Sequence, residues 1–132
     1  MTSAFTWPIR VYWEDTDAGG VVYHGSYLRF LERARSEWLR ARGIDQSQLK
    51  RERGLVFVVS RVQLSFRRPA RLDDQLLASC VLAERGGASL RFTQTLVRLG
   101  DQTVLVEAEV RAACVQATSF RPRAIPADLV LE

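Results

Sequence analysis

The hydrophobic period of this chain changes once, and that change limits the possible folds more than any other feature. Between Gly25 and Arg42 apolar side chains recur at helical spacing, and Gly43 follows where a helix C-terminal glycine belongs. The apolar positions are Tyr27, Phe30, Leu31, Ala34, Trp38 and Ala41, and the polar face carries Arg29, Arg33, Glu37 and Arg40. The pattern predicts an amphipathic helix of about 18 residues, roughly 27 Å long.

Beyond this helix the period becomes two, which is the period of strands. Four segments read as strands: RVQLSF at 61–66, DQLLASCVLAE at 74–84, LRFTQTLVRL at 90–99 and VLVEAEVRAACV at 104–115. The pairs Gly86-Gly87 and Gly100-Asp101 lie between strand candidates and predict hairpin turns. A fifth extended segment, IRVYW, precedes the helix.

These elements predict an α+β fold in which one long helix lies on a five-stranded antiparallel sheet. The edges of such a sheet are open, and apolar residues remain on its second face. Because open edges and exposed apolar faces promote association, the pattern also predicts an oligomer.

Length and composition fit one globular domain. The chain has 132 residues, of which 47% are hydrophobic and 26% are charged. The sequence shows no signal-peptide pattern and no apolar run long enough to span a membrane, and Cys80 and Cys114 fit reduced, buried thiols better than a disulfide. We therefore expect a cytoplasmic protein without stable membrane insertion.

The positive charge comes almost entirely from arginine. The formal net charge is +4, with 18 arginines and one lysine, Lys50. Two interpretations remain open: a general bias in residue usage, or an anionic partner whose phosphates are bound by guanidinium groups. The arginines are spread along the chain without a long basic run, which argues against a nucleic-acid partner.

The segment EDTDAGGVVYHG, from Glu14 to Gly25, precedes the helix and holds the only histidine, His24. It begins like an EF-hand calcium loop, but Gly19 and Ser26 occupy positions where that loop needs oxygen ligands. One histidine with two carboxylates also lacks the ligand spacing of a catalytic metal site. The sequence contains no serine-nucleophile motif and no phosphate-binding glycine loop.

The feature that these exclusions leave is a carboxylate in a glycine turn beside a helix N-terminus. It has two interpretations. In the structural one, Asp15 or Asp17 caps a turn and His24 lies at the helix start. In the functional one, Gly19 and Gly20 allow close approach of a ligand, and free N–H groups of the first helical turn stabilise a developing oxyanion. A nearby carboxylate could then attack a carbonyl or activate water.

The longer segment VYWEDTDAGGVVYHGSYLRFLERARSEWLR resembles the hotdog-fold acyl-CoA thioesterases, in particular the Tol–Pal-associated branch related to 4-hydroxybenzoyl-CoA thioesterase. The segments SFRRPARLDDQL, GGASLRFTQ and PRAIPADL extend the resemblance over nearly the whole chain. It implies a single hotdog domain over residues 1–132, a helix wrapped by a five-stranded sheet. It also implies a homodimer or homotetramer with active sites between subunits.

The resemblance also implies roles for individual residues. Asp17 matches the catalytic carboxylate, and His24 matches a histidine whose backbone N–H polarises the thioester carbonyl. Asp15 is expected to shape the turn, and Trp13 stands where many relatives have tyrosine, so a phenol's acceptor role is lost there. The remaining substrate-binding candidates are Tyr23 and Gly25 at the helix start, and Arg67, Arg68, Arg85 and Arg91 for the phosphates of coenzyme A.

The implied activity is hydrolysis of an acyl-CoA or acyl-carrier-protein thioester to a free acid and a thiol, without a cofactor. Two alternatives remain open. A hotdog 3-hydroxyacyl thioester dehydratase would need Glu32 as the partner of His24. A non-catalytic module would bind acyl-carrier protein or phospholipid enzymes through the basic surface.

Overall fold

The computed structural model describes residues 4–131 and has the predicted α+β architecture. Helix α1 is the long helix, and a short helix α2 follows it before the second strand. The elements are β1 (Phe5–Arg10), α1 (Ser26–Ala41), α2 (Gln46–Arg53), β2 (Leu55–Phe66), β3 (Gln75–Arg85), β4 (Ser89–Arg98) and β5 (Val104–Gln116). A single 3₁₀ turn, Trp13–Asp15, lies between β1 and α1.

The five strands form one antiparallel sheet in the order β1-β3-β4-β5-β2. The hairpins β3–β4 and β4–β5 turn at the two predicted sites, Gly86-Gly87 and Gly100-Asp101, and the Gly86 N–H donates to the Ser89 carbonyl at 2.8 Å. Strand β2 pairs only with β5 among the described residues, so it forms one edge of the sheet.

Helix α1 packs its apolar stripe on one face of this sheet. Phe30, Leu31 and Trp38 are fully buried. The Trp38 ring meets the Phe92 ring edge-on, with 5.1 Å between centroids. Along β4 the residues that face the helix are Leu90, Phe92, Gln94 and Leu96, all buried. This contact between α1 and the middle of the sheet is the core, as the two periodicities require.

Three details differ from the sequence predictions, and the first concerns the strand before the helix. The segment IRVYW was predicted as a strand, but β1 is Phe5–Arg10 and the chain leaves the sheet after Arg10. The cause is local: the Asp15 carboxylate accepts the Tyr12 N–H at 2.8 Å and holds the following residues in the 3₁₀ turn. Only Ile9 and Arg10 of the predicted segment lie in the strand.

The second difference is helix α2, which the sequence analysis did not predict. Its eight residues bury only Leu49, so there is no apolar stripe to detect. Its caps are regular, because the Asp45 side chain accepts the Gln48 N–H and Gly54 ends the helix with a φ of 64°. No helix within residues 4–131 is both long and apolar enough to cross a membrane.

The third difference is the phase at the start of β5. The period of two in VLVEAEVRAACV predicts Val104 in phase with Val106, but Val104 is exposed while Leu105 and Val106 are both buried. A register shift between Leu96 and Val97 on β4 accounts for this break in the alternation.

Candidate active site

A small hairpin at residues 16–22 connects the 3₁₀ turn to helix α1. Thr16 and Val22 pair across its base, and the Asp17 N–H donates to the Val21 carbonyl at 3.0 Å. At its tip the Gly20 N–H donates to the Asp17 carbonyl at 3.0 Å, and Gly20 has a φ of +78°. A residue with a Cβ is strained at that φ, so glycine suits this tight turn.

Asp15 holds the base of this hairpin and is only 2% exposed. Its Oδ2 accepts the Tyr12 N–H and its Oδ1 accepts an Arg29 N–H, both at 2.8 Å. Its backbone carbonyl accepts the Tyr23 N–H at 2.8 Å and the Ser26 hydroxyl at 3.2 Å. One buried residue therefore fixes the turn, the hairpin and the helix start relative to one another.

Asp17 lies two residues further on and is exposed. Its Oδ1 accepts the Gly19 N–H at 2.8 Å, and its Oδ2 has no hydrogen-bond donor among residues 4–131. Burial is the main cause that raises the pKa of Tyr27, and the charge of Asp17 also raises it. The carboxylate is thus held by its own turn, close enough to act electrostatically on the first turn of α1.

The start of α1 offers free backbone donors. The helix N-cap is Gly25, which has no side chain to cap the helix. Ser26 donates its N–H to the Tyr23 carbonyl, whereas the N–H groups of His24 and Gly25 have no acceptor within the described part of the chain. Free N–H groups at a helix N-terminus carry positive dipole character and attract negative charge.

Aromatic side chains surround this helix start. The Tyr23 and His24 rings lie 4.3 Å apart, and a Cβ at position 25 would lie 2.8 Å from the Tyr23 ring. Tyr12 and Trp13 are also exposed, Trp13 to 78%. An exposed aromatic patch beside a free carboxylate is typical of a surface that a ligand or a partner covers.

The structure brings five of the predicted site residues into this region: Trp13, Asp17, Tyr23, His24 and Gly25. The four predicted arginines differ in their partners. Arg67 pairs with Glu107 at 2.8 Å, and Arg91 pairs with both Glu84 and Glu109. Arg85 donates to the carbonyls of Pro126 and Leu129 and so anchors the C-terminal segment. Among residues 4–131, only the Arg68 side chain of these four makes no hydrogen bond or ion pair.

Sequence reasoning missed one charged residue, Arg35, which lies on the buried side of α1. Its guanidinium donates to Gln94 Oε1 at 3.0 Å. The helical phase carries the signal, because position 35 is four residues after Leu31 and three before Trp38. An arginine within an apolar stripe indicates a buried polar contact or a site.

Comparison with known proteins identifies the family. Residues 11–131 match the family described as the thioesterase-like superfamily. The chain belongs to that superfamily. Within it, the acyl-CoA thioester hydrolase YbgC of Escherichia coli O6:H1 is 48% identical over 131 residues, which cover 99% of this chain and 96% of that protein.

Solved structures support the same assignment for this member of the thioesterase-like superfamily. A probable thioesterase from Bartonella henselae is 36% identical with a TM-score of 0.86, covering 94% of this chain and 100% of that one. A 4-hydroxybenzoyl CoA thioesterase mutant complexed with 4-hydroxybenzoyl CoA is 26% identical with a TM-score of 0.87, covering 96% and 95%. The fold of this superfamily member is therefore the hotdog fold predicted from the sequence.

Proposed function

We propose that the chain is an acyl-CoA thioesterase whose reaction takes place at the N-terminal end of α1, with Asp17 as the catalytic carboxylate. One observation carries the proposal. A carboxylate oxygen and backbone N–H groups that have no partners among residues 4–131 occur together at one exposed helix start. Family membership supports the reaction class, and this geometry supports the choice of residues.

In the proposed site the thioester carbonyl oxygen accepts hydrogen bonds from the N–H groups of His24 and Gly25. These donors stabilise the negative charge that develops on that oxygen when the carbonyl carbon is attacked. They need no rearrangement, because the helix and the Asp15 contacts already fix them. A mutant of one structural relative, the 4-hydroxybenzoyl CoA thioesterase, has asparagine in place of an aspartate and was captured with 4-hydroxybenzoyl CoA, which supports a role for a carboxylate.

The free Oδ2 of Asp17 can act in either of two ways. As a nucleophile it attacks the carbonyl carbon, the C–S bond breaks, and the thiolate leaves and takes a proton from water; a second water then cleaves the mixed anhydride. As a general base it takes a proton from the water that attacks, and it returns that proton to the leaving thiolate. Both routes yield the free acid and the thiol and regenerate the carboxylate.

The remaining residues at the helix start bind the substrate. The His24 imidazole, held against Tyr23, orients the acyl group or assists proton transfer. Trp13 supplies an apolar face and one N–H donor, since an indole cannot accept a hydrogen bond. The dehydratase alternative would need Glu32 beside His24, and within residues 4–131 these side chains make no hydrogen bond to each other.

The proposed site is completed by a second subunit. Strand β2 has a free edge, and Val59, Val62 and Phe66 along it are all exposed. The aromatic patch at the helix start is also uncovered in a single chain. Edge pairing into a homodimer, or a homotetramer of two dimers, would cover both the free edge of β2 and the aromatic patch. Light scattering should give at least twice 15.0 kDa, and a mass of 15.0 kDa at micromolar concentration would contradict the shared site.

Acyl-carrier protein is a further candidate substrate carrier, because the net charge of +4 favours an acidic partner. A cytoplasmic location fits such a carrier and coenzyme A alike. The test is thiol release by the purified protein from short aliphatic, long aliphatic and aromatic acyl-CoAs, and from a matched acyl-carrier-protein thioester. Absence of turnover on all of them would favour the non-catalytic binding module.

A further inference from the structure

A cavity of about 290 Å³ lies between helix α1, the first half of β2 and the middle of the sheet. Most of its wall is apolar: Leu39, Phe57, Val58, Val59, Leu90, Phe92 and Ala112. The polar lining residues include Glu32, Arg35 and Ser36 from α1. An apolar cavity with a few convergent polar groups is the usual form of a small-molecule site, and this volume suits a small ligand.

Arg35 is held in this cavity by a single side-chain contact. Its guanidinium donates to Gln94 Oε1 at 3.0 Å. Gln94 is fully buried, and its Nε2 donates to the carbonyls of Leu31 and Ser79 at 3.1 and 3.2 Å. Since the amide nitrogen is committed to these carbonyls, the amide oxygen must face Arg35. The remaining guanidinium N–H groups have no acceptor among residues 4–131.

Arg35 has a pKa that burial lowers and that the charge of Glu32 partly restores. It forms no ion pair with a carboxylate in the described chain, and Glu32 is exposed at the rim of the cavity. The nearby thiol of Cys80 stays neutral at pH 7, because burial raises its pKa to about 12. A partly buried cation without a directly bound counter-ion is unfavourable, so an incoming anion is stabilised there.

We propose that this cavity binds the carboxylate of a short-chain organic acid, with the carboxylate on Arg35 and the hydrocarbon part against Phe57, Leu90 and Phe92. A guanidinium binds a carboxylate through two parallel N–H groups, and Arg35 has such donors free. A neutral molecule of the same shape gains only the apolar contacts.

The cavity is distinct from the carbonyl site of the same chain. Arg35 lies nine residues beyond Ser26, about 14 Å further along α1 at 1.5 Å per residue. The carboxylate has two chemical sources: the free acid that hydrolysis releases, or the distal carboxylate of a dicarboxylic acyl group. Assigning the acid to substrate or product rests on the proposed function, whereas binding of a carboxylate does not.

The test is titration calorimetry of the intact oligomer with hexanoate and with hexan-1-ol at neutral pH. We expect hexanoate to bind the wild type more tightly than hexan-1-ol. Arg35→Gln should weaken hexanoate binding by about tenfold or more, since a hydrogen bond to a charged group is worth about 1.5–3 kcal/mol, and should leave hexan-1-ol binding unchanged. The matched control is Arg40→Gln, on the exposed face of the same helix, which should change neither.

Ser36→Leu keeps Arg35 and Gln94 and narrows the cavity, so it tests the site even if Arg35→Gln folds poorly. It should weaken binding of both probes. The ratio of kcat/KM for adipoyl-CoA over hexanoyl-CoA then separates the sources. A lower ratio in Arg35→Gln assigns the carboxylate to the acyl group, and an unchanged ratio with weaker inhibition by hexanoate assigns it to the released acid.

The proposal is overturned if hexanoate does not bind the wild type, or binds a folded Arg35→Gln equally well. If hexanoate does not bind and Arg35→Gln changes the oligomeric mass, Arg35 contacts a second copy of the chain instead of a ligand. Asp17→Ala should bind hexanoate like the wild type. A failure of the proposed catalytic role therefore leaves this result untouched, and the two failures are distinguishable.

Discussion

The backbone N–H groups at the two ends of helix α1 differ in whether they have hydrogen-bond acceptors. At the C-terminal end the N–H groups of Arg42, Gly43 and Ile44 donate to the carbonyls of Leu39 and Arg40, at 3.0 to 3.1 Å. The Arg42 guanidinium lies 3.6 Å above the buried Trp38 ring and also donates to the Leu131 carbonyl. At the N-terminal end the N–H groups of His24 and Gly25 have no acceptor in the described chain, and the flanking aromatic side chains are exposed.

The two ends of this helix therefore have different roles: the C-terminal end contributes to stability and the N-terminal end to the reaction. The C-terminal end uses its polar groups to fix the helix to the core, so loss of a residue that makes these contacts should destabilise the protein. The N-terminal end keeps donors and a carboxylate oxygen free, which is useful only if another molecule takes them. A smaller version of the same contrast exists between Asp15, whose oxygens are all engaged, and Asp17, whose Oδ2 has no donor among residues 4–131.

The largest expected effect is on the reaction at the open end. Asp17→Ala should lower kcat by roughly 10²–10⁴-fold, because a positioned base contributes about that much and a nucleophile at least as much. The melting temperature should stay near that of the wild type, since the Asp17 side chain is exposed. Glu14→Ala removes an exposed carboxylate from the adjoining turn and is the control. More than about a tenth of wild-type activity in folded Asp17→Ala would remove Asp17 from the mechanism.

The next effect is on stability at the closed end. Trp38→Ala should lower the free energy of unfolding by about 3–5 kcal/mol, because it leaves a cavity beneath Arg42 and beside Phe92. Chemical denaturation measures this change. Arg40→Ala, on the exposed face of the same turn, should stay within about 0.5 kcal/mol of the wild type. Equal losses from both substitutions would show that the C-terminal end is not specially anchored.

Asp15→Asn tests the contrast between the two aspartates. It should cost about 1–3 kcal/mol of stability, because a buried group loses its charge-assisted bond to the half-exposed Arg29. Its effect on kcat should be far smaller than that of Asp17→Ala, since the buried carboxylate does not reach the substrate. Activity per folded molecule and denaturation midpoints are compared for the two variants. A larger loss of kcat in Asp15→Asn would reverse the proposed roles.

The smallest expected effect concerns the phosphates of coenzyme A. Arg68→Gln should raise KM for a CoA thioester by about two- to fivefold with kcat unchanged, as an exposed charge contact is worth about 0.2–1 kcal/mol. The increase should disappear with a pantetheine thioester that lacks the nucleotide, and it should fade with added salt. Lys50→Gln, on exposed α2, is the control. The same change for both thioesters would place the phosphates elsewhere.

Much of this arrangement could be predicted from the sequence. The long helix, the hairpin glycines and the helix-facing phase of Leu76, Ala78 and Cys80 follow directly from periodicity, and the structure has them. Helix α2 was missed because a short surface helix with one buried residue has no periodic pattern. Asp45 and Gly54 at its ends were the available signals.

The details of the site were less accessible, for a physical reason. The sequence shows that Asp15 and Asp17 lie two residues apart, but not that one is buried under Arg29 while the other is exposed. Likewise, Arg85 was predicted to bind the phosphates of coenzyme A. A register shift between Leu82 and Glu84 instead brings Arg85 opposite the buried Leu90, where it meets the C-terminal segment. Such outcomes depend on strand register and on contacts between distant segments.

The most direct test of the open helix end is a crystal structure of Asp17→Asn with an uncleaved acyl-CoA. Asparagine keeps the shape of the side chain but removes the negative charge. Without that charge residue 17 can neither attack the thioester carbonyl carbon nor deprotonate water. We expect the thioester carbonyl oxygen within about 3 Å of the His24 or Gly25 nitrogen, with its carbonyl carbon beside residue 17. A thioester bound with its carbonyl away from the N-terminal end of α1 would show that the reaction does not take place at this helix end.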